Sequence, residues 1–259
     1  MSEMFRLERK GSGPAVVFVH GFCQSSAYWA PTLEHIAGRG IHGIAVDLPG
    51  FGASARESGP YTMEGLADAL ARQLDAWGIG PKIVLVGGSM GGVVAQHFAL
   101  RHPARVERLL LVATGGFTPD MQGALDKADA MSRAAWDEAA VTPVVNGFFH
   151  QPPLADDVAR YRSIALMASQ PAAIEAARSN ARNRSFDSLG SIRVPTLIIQ
   201  GRHDRARTPE HGAEMRERIA GSALAVIEDA GHTPQLEQPA RFREAAVPFL
   251  LHGRGVAAS

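Results

Sequence analysis

The sequence predicts an α/β domain in which a mostly parallel sheet carries helices on both faces and a helical segment is inserted between two strands. Three observations predict it. Short, continuous, β-branched runs alternate with helix-like stretches over the first part of the chain; residues 114–193 lack any strand pattern; and the alternation resumes after them. The expected organisation is a core formed by residues 1–113 and 194–259, with residues 114–193 as a helical cap.

The elements follow in order. One strand, about Met4–Lys10, precedes the apolar run Ala15–Val19 (AVVFV). Further runs at Ile41–Val46 (IHGIAV), Lys82–Val86 (KIVLV) and Val106–Val112 (VERLLLV) read as strands covered on both faces. Helical stretches lie between and after them, at about Ser25–Ala37, Met63–Trp77 and Met90–Arg101. The segment from Thr114 to Arg193 reads as three or four short helices. Its prolines (Pro119, Pro143, Pro152, Pro153 and Pro171) suit helix starts and turns better than strand interiors. A strand at Pro195–Gln200, a helix near Pro209–Ala220, a strand at Ala223–Ile227 and a helix near Pro239–Leu250 complete the pattern. The tail after His252 (GRGVAAS) reads as frayed.

Composition narrows the function classes. The 259 residues carry 26 Lys+Arg against 26 Asp+Glu, a balance that gives no electrostatic footprint for nucleic acid or an anionic membrane. Cys23 is the one cysteine, which excludes an intramolecular disulfide and a zinc site built on several thiolates. The opening MSEMFRLERK lacks the apolar core of a signal peptide, and no run of about 18 apolar residues suggests a membrane span. The expectation is a cytoplasmic protein, monomeric or homo-oligomeric, acting on a small molecule without cofactor or metal.

The chemistry concentrates at strand ends. Gly87-x-Ser89-x-Gly91 stands between the strand KIVLV and the helix MGGVVAQHFALRH. A sharp strand-to-helix turn strains the serine backbone, needs small neighbours, and lifts the hydroxyl above the sheet at a helix N-terminus. A serine hydroxyl is a poor nucleophile without a base within hydrogen-bond reach. Among ten histidines, His232 follows the last strand directly, in IEDAGH, on the edge where open α/β sheets place their sites. His97, two turns into the helix after Ser89, reads as structural. An imidazole base needs a carboxylate to fix its tautomer, and Asp204, just past PTLIIQ, is the candidate. Asp229 lies too close to His232 in a tight loop to point back at the ring, and Asp187 belongs to the cap exit. Backbone donors for an oxyanion are expected from Met90, which follows the serine, and from Phe22 in the turn His20-Gly21-Phe22, where Gly21 permits close approach.

The order Ser89…Asp204…His232, with HGFCQSSAYW, DLPGFGAS, GGSMGG, PTLIIQGRHD and GHTPQLEQP, resembles the α/β-hydrolase superfamily across nearly the whole chain outside the cap. The likeness is nearest to small carboxylesterases, enol-lactone hydrolases and carbon–carbon bond hydrolases. It implies acyl transfer to Ser89 and then to water. With one strand before AVVFV, the first strand of the usual eight is expected to be missing or very short. The serine at the elbow argues against haloalkane dehalogenases and epoxide hydrolases, which resemble this chain but use a carboxylate there. Homoserine acetyltransferases share GGSMGG, and a cofactor-free lyase and hydrolytic hormone receptors share the fold, so transferase, lyase and receptor readings stand beside hydrolysis. Look-alikes that peroxidise halides add a side activity.

Substrate contacts are sought in the cap. Met121, Met131, Trp136, Phe148, Phe149 and Met167 either line an apolar pocket or form the cap's own core. Gly21 and Cys23 border the same place. Arg162, Arg178, Arg182 and Arg184 either hold a substrate carboxylate or form a solvated helix face.

Overall fold

The structure is a computed structural model that describes residues 3–252; the tail after His252 lies outside the described residues. Among the described residues, seven strands form one sheet in the order β1-β3-β2-β4-β5-β6-β7. They are β1 (Arg6–Arg9), β2 (Ala15–Val19), β3 (His42–Val46), β4 (Ile83–Gly88), β5 (Val106–Val112), β6 (Thr196–Gly201) and β7 (Ala223–Ile227). Only β1 runs antiparallel, against β3; every other pairing is parallel. One strand precedes AVVFV, as the sequence indicates. β4 continues two residues beyond the apolar run, through Gly87 and Gly88, because both glycines stay in the ladder opposite Leu111 and Val112.

Alternation along the strands divides the interior into two layers. Val17, Val19, Leu85, Leu109, Leu111 and Ile198 face the side covered by α2 (Met63–Ala76), α3 (Met90–Arg101) and α8 (Pro209–Arg218). Val16, Phe18, Val84, Val86, Leu110 and Leu197 face α1 (Ala30–Ala37) and α10 (Pro239–His252). The helix expected from Ser25 starts as a 3-10 turn, Ser26–Trp29, and becomes α-helical at Ala30, with Pro31 in its first turn. Between β5 and β6 run α4 (Met121–Arg133), α5 (Glu138–Asn146), α6 (Ala155–Leu166) and α7 (Gln170–Ala181), followed by a 3-10 stretch at Ser185–Ser191. Asp120 and Asp137 cap α4 and α5 by accepting the N–H groups of Gly123 and Ala140. Pro143 departs from expectation: it sits inside α5, where its missing N–H removes one intrahelical bond. A one-turn helix, α9 (Pro234–Glu237), was not expected; Pro234 opens it directly after the loop that carries His232.

Parallel register brings the strand ends together. Val19 lies beside Gly87, Gly88 beside Val112, and Gly201 beside Ile227. The segments leaving those ends carry His20–Cys23, Ser89, Thr114, Asp204 and His232, so residues far apart in sequence meet on one rim. No helix among the described residues is long and apolar enough to cross a membrane.

Candidate active site

Ser89 stands at the turn between β4 and α3 with φ 51° and ψ −119°. This positive φ strains a residue with a Cβ, and surrounding contacts hold it. The Ser89 N–H donates to the Val112 carbonyl at 2.8 Å, and the Thr114 hydroxyl donates to the Ser89 carbonyl at 2.7 Å. Small neighbours make the turn fit. A methyl on Gly91 would overlap the carbonyl oxygens of Val19 and His20, and one on Gly92 would reach within 2.6 Å of the Thr114 Cβ.

His232 Nε2 lies 2.7 Å from Ser89 Oγ, and its Nδ1 lies 2.7 Å from Asp204 Oδ2. A carboxylate only accepts, so Nδ1 carries the hydrogen and Nε2 is left to accept from the serine hydroxyl. The acid is fixed from behind: Asp204 Oδ1 accepts the backbone N–H groups of Ala206 at 2.8 Å and Arg207 at 2.9 Å. Asp204 and His232 are buried, whereas Ser89 is half-buried. Asp229 takes a surface contact with Arg241 at 3.2 Å, Asp187 pairs with Arg184, and His97 bonds Asn183 at 2.8 Å; none of the three joins the convergence.

The His20–Cys23 turn packs directly on the elbow. A Cβ added to Gly21 would stand 3.1 Å from the Ser89 Cβ. The Gly21 N–H donates to Gln24 Oε1 at 2.9 Å, closing the turn. Among the described residues, the backbone N–H groups of Phe22 and Met90 donate to no other protein group. His20 is wholly buried. Its Nε2 accepts the Leu48 N–H at 3.0 Å and its Nδ1 lies 2.7 Å from the Gly21 carbonyl, an arrangement for a neutral ring. Burial lowers its pKa, partly offset by the nearby Asp47 carboxylate. Cys23 is also wholly buried, and burial pushes its thiol above the usual range, which disfavours the thiolate form.

The insertion reaches the imidazole through Phe148. Its ring stacks on His232 and meets Tyr28 edge-on at 6.3 Å. Phe149 packs on Tyr161, with ring centroids 5.2 Å apart. Trp136 is half-buried against the same apolar cluster. Met167, just past α6, and Met121, which opens α4, are each 48% exposed and stand outside that cluster. An apolar residue at helical spacing does not reveal whether it packs inward or faces out. The arginines are engaged at the surface: Arg178 with Asp129, Arg184 with Asp187, and Arg162 near Glu138 at 3.8 Å, while Arg182 is exposed.

Two residues at the site escaped the sequence reading. Tyr28 is buried beside Cys23 and Phe148 with its hydroxyl unpartnered. Glu237 accepts bonds from residues on both sides of His232. The signal for Glu237 was its place five residues after His232 in GHTPQLEQP; for Tyr28 the aromatic pair Tyr28-Trp29 gave no polar signal at all.

Comparison with known proteins agrees with this architecture. The sequence model of the alpha/beta hydrolase fold family matches residues 14–239. The chain is 33% identical over 258 residues to a 2-hydroxy-6-oxo-2,4-heptadienoate hydrolase of Pseudomonas putida, covering 93% of this chain and 90% of that protein. It is 30% identical over 255 residues to a pimeloyl-[acyl-carrier protein] methyl ester esterase of Aeromonas salmonicida, covering 92% and 96%. The solved structure of a thermophilic esterase from Thermogutta terrifontis superposes with a TM-score of 0.86 at 30% identity, over 95% of this chain and 92% of that one. The chain belongs to the alpha/beta hydrolase fold family, and it is a hydrolase.

Proposed function

We propose that the protein is a serine hydrolase that cleaves a small or medium carboxylic ester, lactone or related acyl substrate, with Ser89 as nucleophile, His232 as base and Asp204 as the orienting acid. The observation that carries this reading is the unbroken chain of two 2.7 Å contacts from Ser89 Oγ through the imidazole to a buried carboxylate. Ser89 Oγ attacks the acyl carbon while its proton passes to His232 Nε2. The tetrahedral oxyanion takes the N–H groups of Phe22 and Met90. Collapse breaks the bond to the leaving oxygen, which receives the proton from His232. Water, deprotonated at the same nitrogen, then attacks the acyl-serine and frees Ser89.

Residues 114–193 act as the cap over this rim in the proposal, with Phe148, Phe149 and Trp136 as substrate walls. A second reading has one specific support, the name of the Pseudomonas putida relative: hydrolysis of a carbon–carbon bond in a vinylogous keto acid. Product analysis separates the two: both release a carboxylic acid, but the ester reaction leaves an alcohol beside it, whereas the other leaves a product in which the departing carbon has gained a C–H bond.

The test is intact-mass measurement after fluorophosphonate treatment, followed by peptide mapping. One adduct on Ser89, lost in Ser89→Ala together with turnover of p-nitrophenyl esters, is expected. An unlabelled protein, or a label on another residue, rejects the assignment.

A further inference from the structure

The loop that carries His232 is tied on both sides to one carboxylate. Glu237, the last residue of α9, accepts at Oε1 from the Gly231 N–H (3.0 Å), the Thr233 N–H (3.0 Å) and the Thr233 hydroxyl (3.1 Å). Its Oε2 accepts from the His150 N–H at 2.6 Å. His150 belongs to the insertion, two residues after Phe148, whose carbonyl accepts the His232 N–H at 3.0 Å. The Thr233 hydroxyl also lies 3.2 Å from that carbonyl. Contact between the two segments is direct: a Cβ on Gly231 would stand 2.7 Å from the His150 nitrogen. Residues 148–150 and 231–233 are therefore stitched together, and Glu237 supplies one oxygen to each side.

We infer that Glu237 is a positioning residue that anchors the His232 loop with one carboxylate oxygen and the insertion beside it with the other, each held independently. The inference rests on the reading of His232 as the base. Glu237 meets no reacting atom and acts through the loop it holds. Its two oxygens do separable work. Oε1 fixes the loop on either side of the imidazole, where a displacement of about 1 Å lowers turnover roughly 100-fold. Oε2 fixes the backbone beside Phe148 and Phe149, which wall the site on the insertion side.

Two substitutions separate these effects. Glu237→Gln retains one acceptor oxygen, which three donors on the loop side hold in place. Its amide NH2 then faces the His150 N–H, donor against donor, so the lesion falls on the insertion side alone. Glu237→Ala removes both sides. Steady-state kinetics on a short-chain p-nitrophenyl ester, and the rate of fluorophosphonate labelling of Ser89, read the outcome. Glu237→Gln is expected to keep the labelling rate and kcat near wild type while raising KM roughly tenfold. Glu237→Ala is expected to lower kcat and the labelling rate together, by roughly 100-fold. The Gln variant alone suffices should the Ala variant not fold. A Gln variant unchanged in KM, or one whose labelling slows as much as its KM rises, overturns the inference. Wild-type labelling at Ser89 that disappears in His232→Ala keeps this outcome distinct from failure of the proposed reaction.

Discussion

The Phe148 ring lies nearly parallel to the His232 imidazole, centroids 6.0 Å apart and planes inclined by 24°. In the proposed reaction the His232 ring becomes cationic, and an aromatic ring within about 6 Å of it favours the charged form, by about 0.5–2 kcal/mol. Phe148→Leu keeps most of the buried volume and removes the π-face. Its kcat on a short ester is expected to fall about 2- to 30-fold, matching that energy. Phe148→Ala adds a cavity against Tyr28 and is expected to cost about 3 kcal/mol or more of stability in urea unfolding. A Leu variant with undiminished kcat shows the stacking to be packing alone.

Asp204→Asn tests the orienting role proposed for Asp204 with almost no change of shape. The backbone N–H groups of Ala206 and Arg207 both point at Oδ1, so the Asn oxygen settles there and its NH2 turns to His232. A donor facing Nδ1 forces the hydrogen onto Nε2, the tautomer that cannot accept the serine proton. Turnover is expected to fall by roughly 10⁴-fold with thermal stability near wild type. A loss under tenfold assigns the orienting role elsewhere.

The fold and the convergent side chains were legible because both depend on local patterns. β-branched runs mark buried strands, and chemistry-bearing residues such as Ser89 and Asp204 directly follow strands whose parallel pairing puts all their ends on one edge. The insertion was legible only as helices. Phe148 touches His232 across more than eighty residues of chain, and no periodicity encodes which apolar residue turns inward; Met167, with similar spacing and chemistry, faces outward. Glu237 was illegible for a related reason. A single glutamate near a helix start reads as surface charge until the loop folds back and supplies its donors.

Two glycines give different outcomes for the same substitution. Alanine at a helical position ordinarily gains about 1 kcal/mol over glycine. Gly91, in the first turn of α3, is an exception, because a methyl there overlaps the backbone carbonyls of Val19 and His20. Steric displacement outweighs propensity, so Gly91→Ala is expected to destabilise by about 1–3 kcal/mol. It should also slow Ser89 labelling, since the Gly21 turn shifts with β2. Gly80 has nothing within 4 Å of its added Cβ, and Gly80→Ala is expected to change stability by less than about 0.5 kcal/mol. Equal effects at both positions contradict the packing account of the elbow.

His20 makes stability depend on pH with a definite sign. Burial lowers its folded-state pKa below the ordinary value of 6.5, so the unfolded chain binds this proton more readily. Its contribution is therefore fully present above about pH 6.5 and is lost as pH falls below that value, with a slope of up to about 1.4 kcal/mol per pH unit. His35 and His211 are also lowered by burial and add to the wild-type slope, so the variant must be compared rather than the wild type read alone. His20→Gln offers an acceptor to the Leu48 N–H and cannot take up the proton. It is expected to be less stable than wild type at pH 8, by about 1–3 kcal/mol, because the fit to Gly21 and Leu48 is imperfect. Between pH 6.5 and 5 its stability should decline less steeply, so the two curves converge. Parallel curves from urea titrations across this range mean that His20 takes up its proton alike in the folded and unfolded chains, contrary to its burial and to the Leu48 bond it accepts.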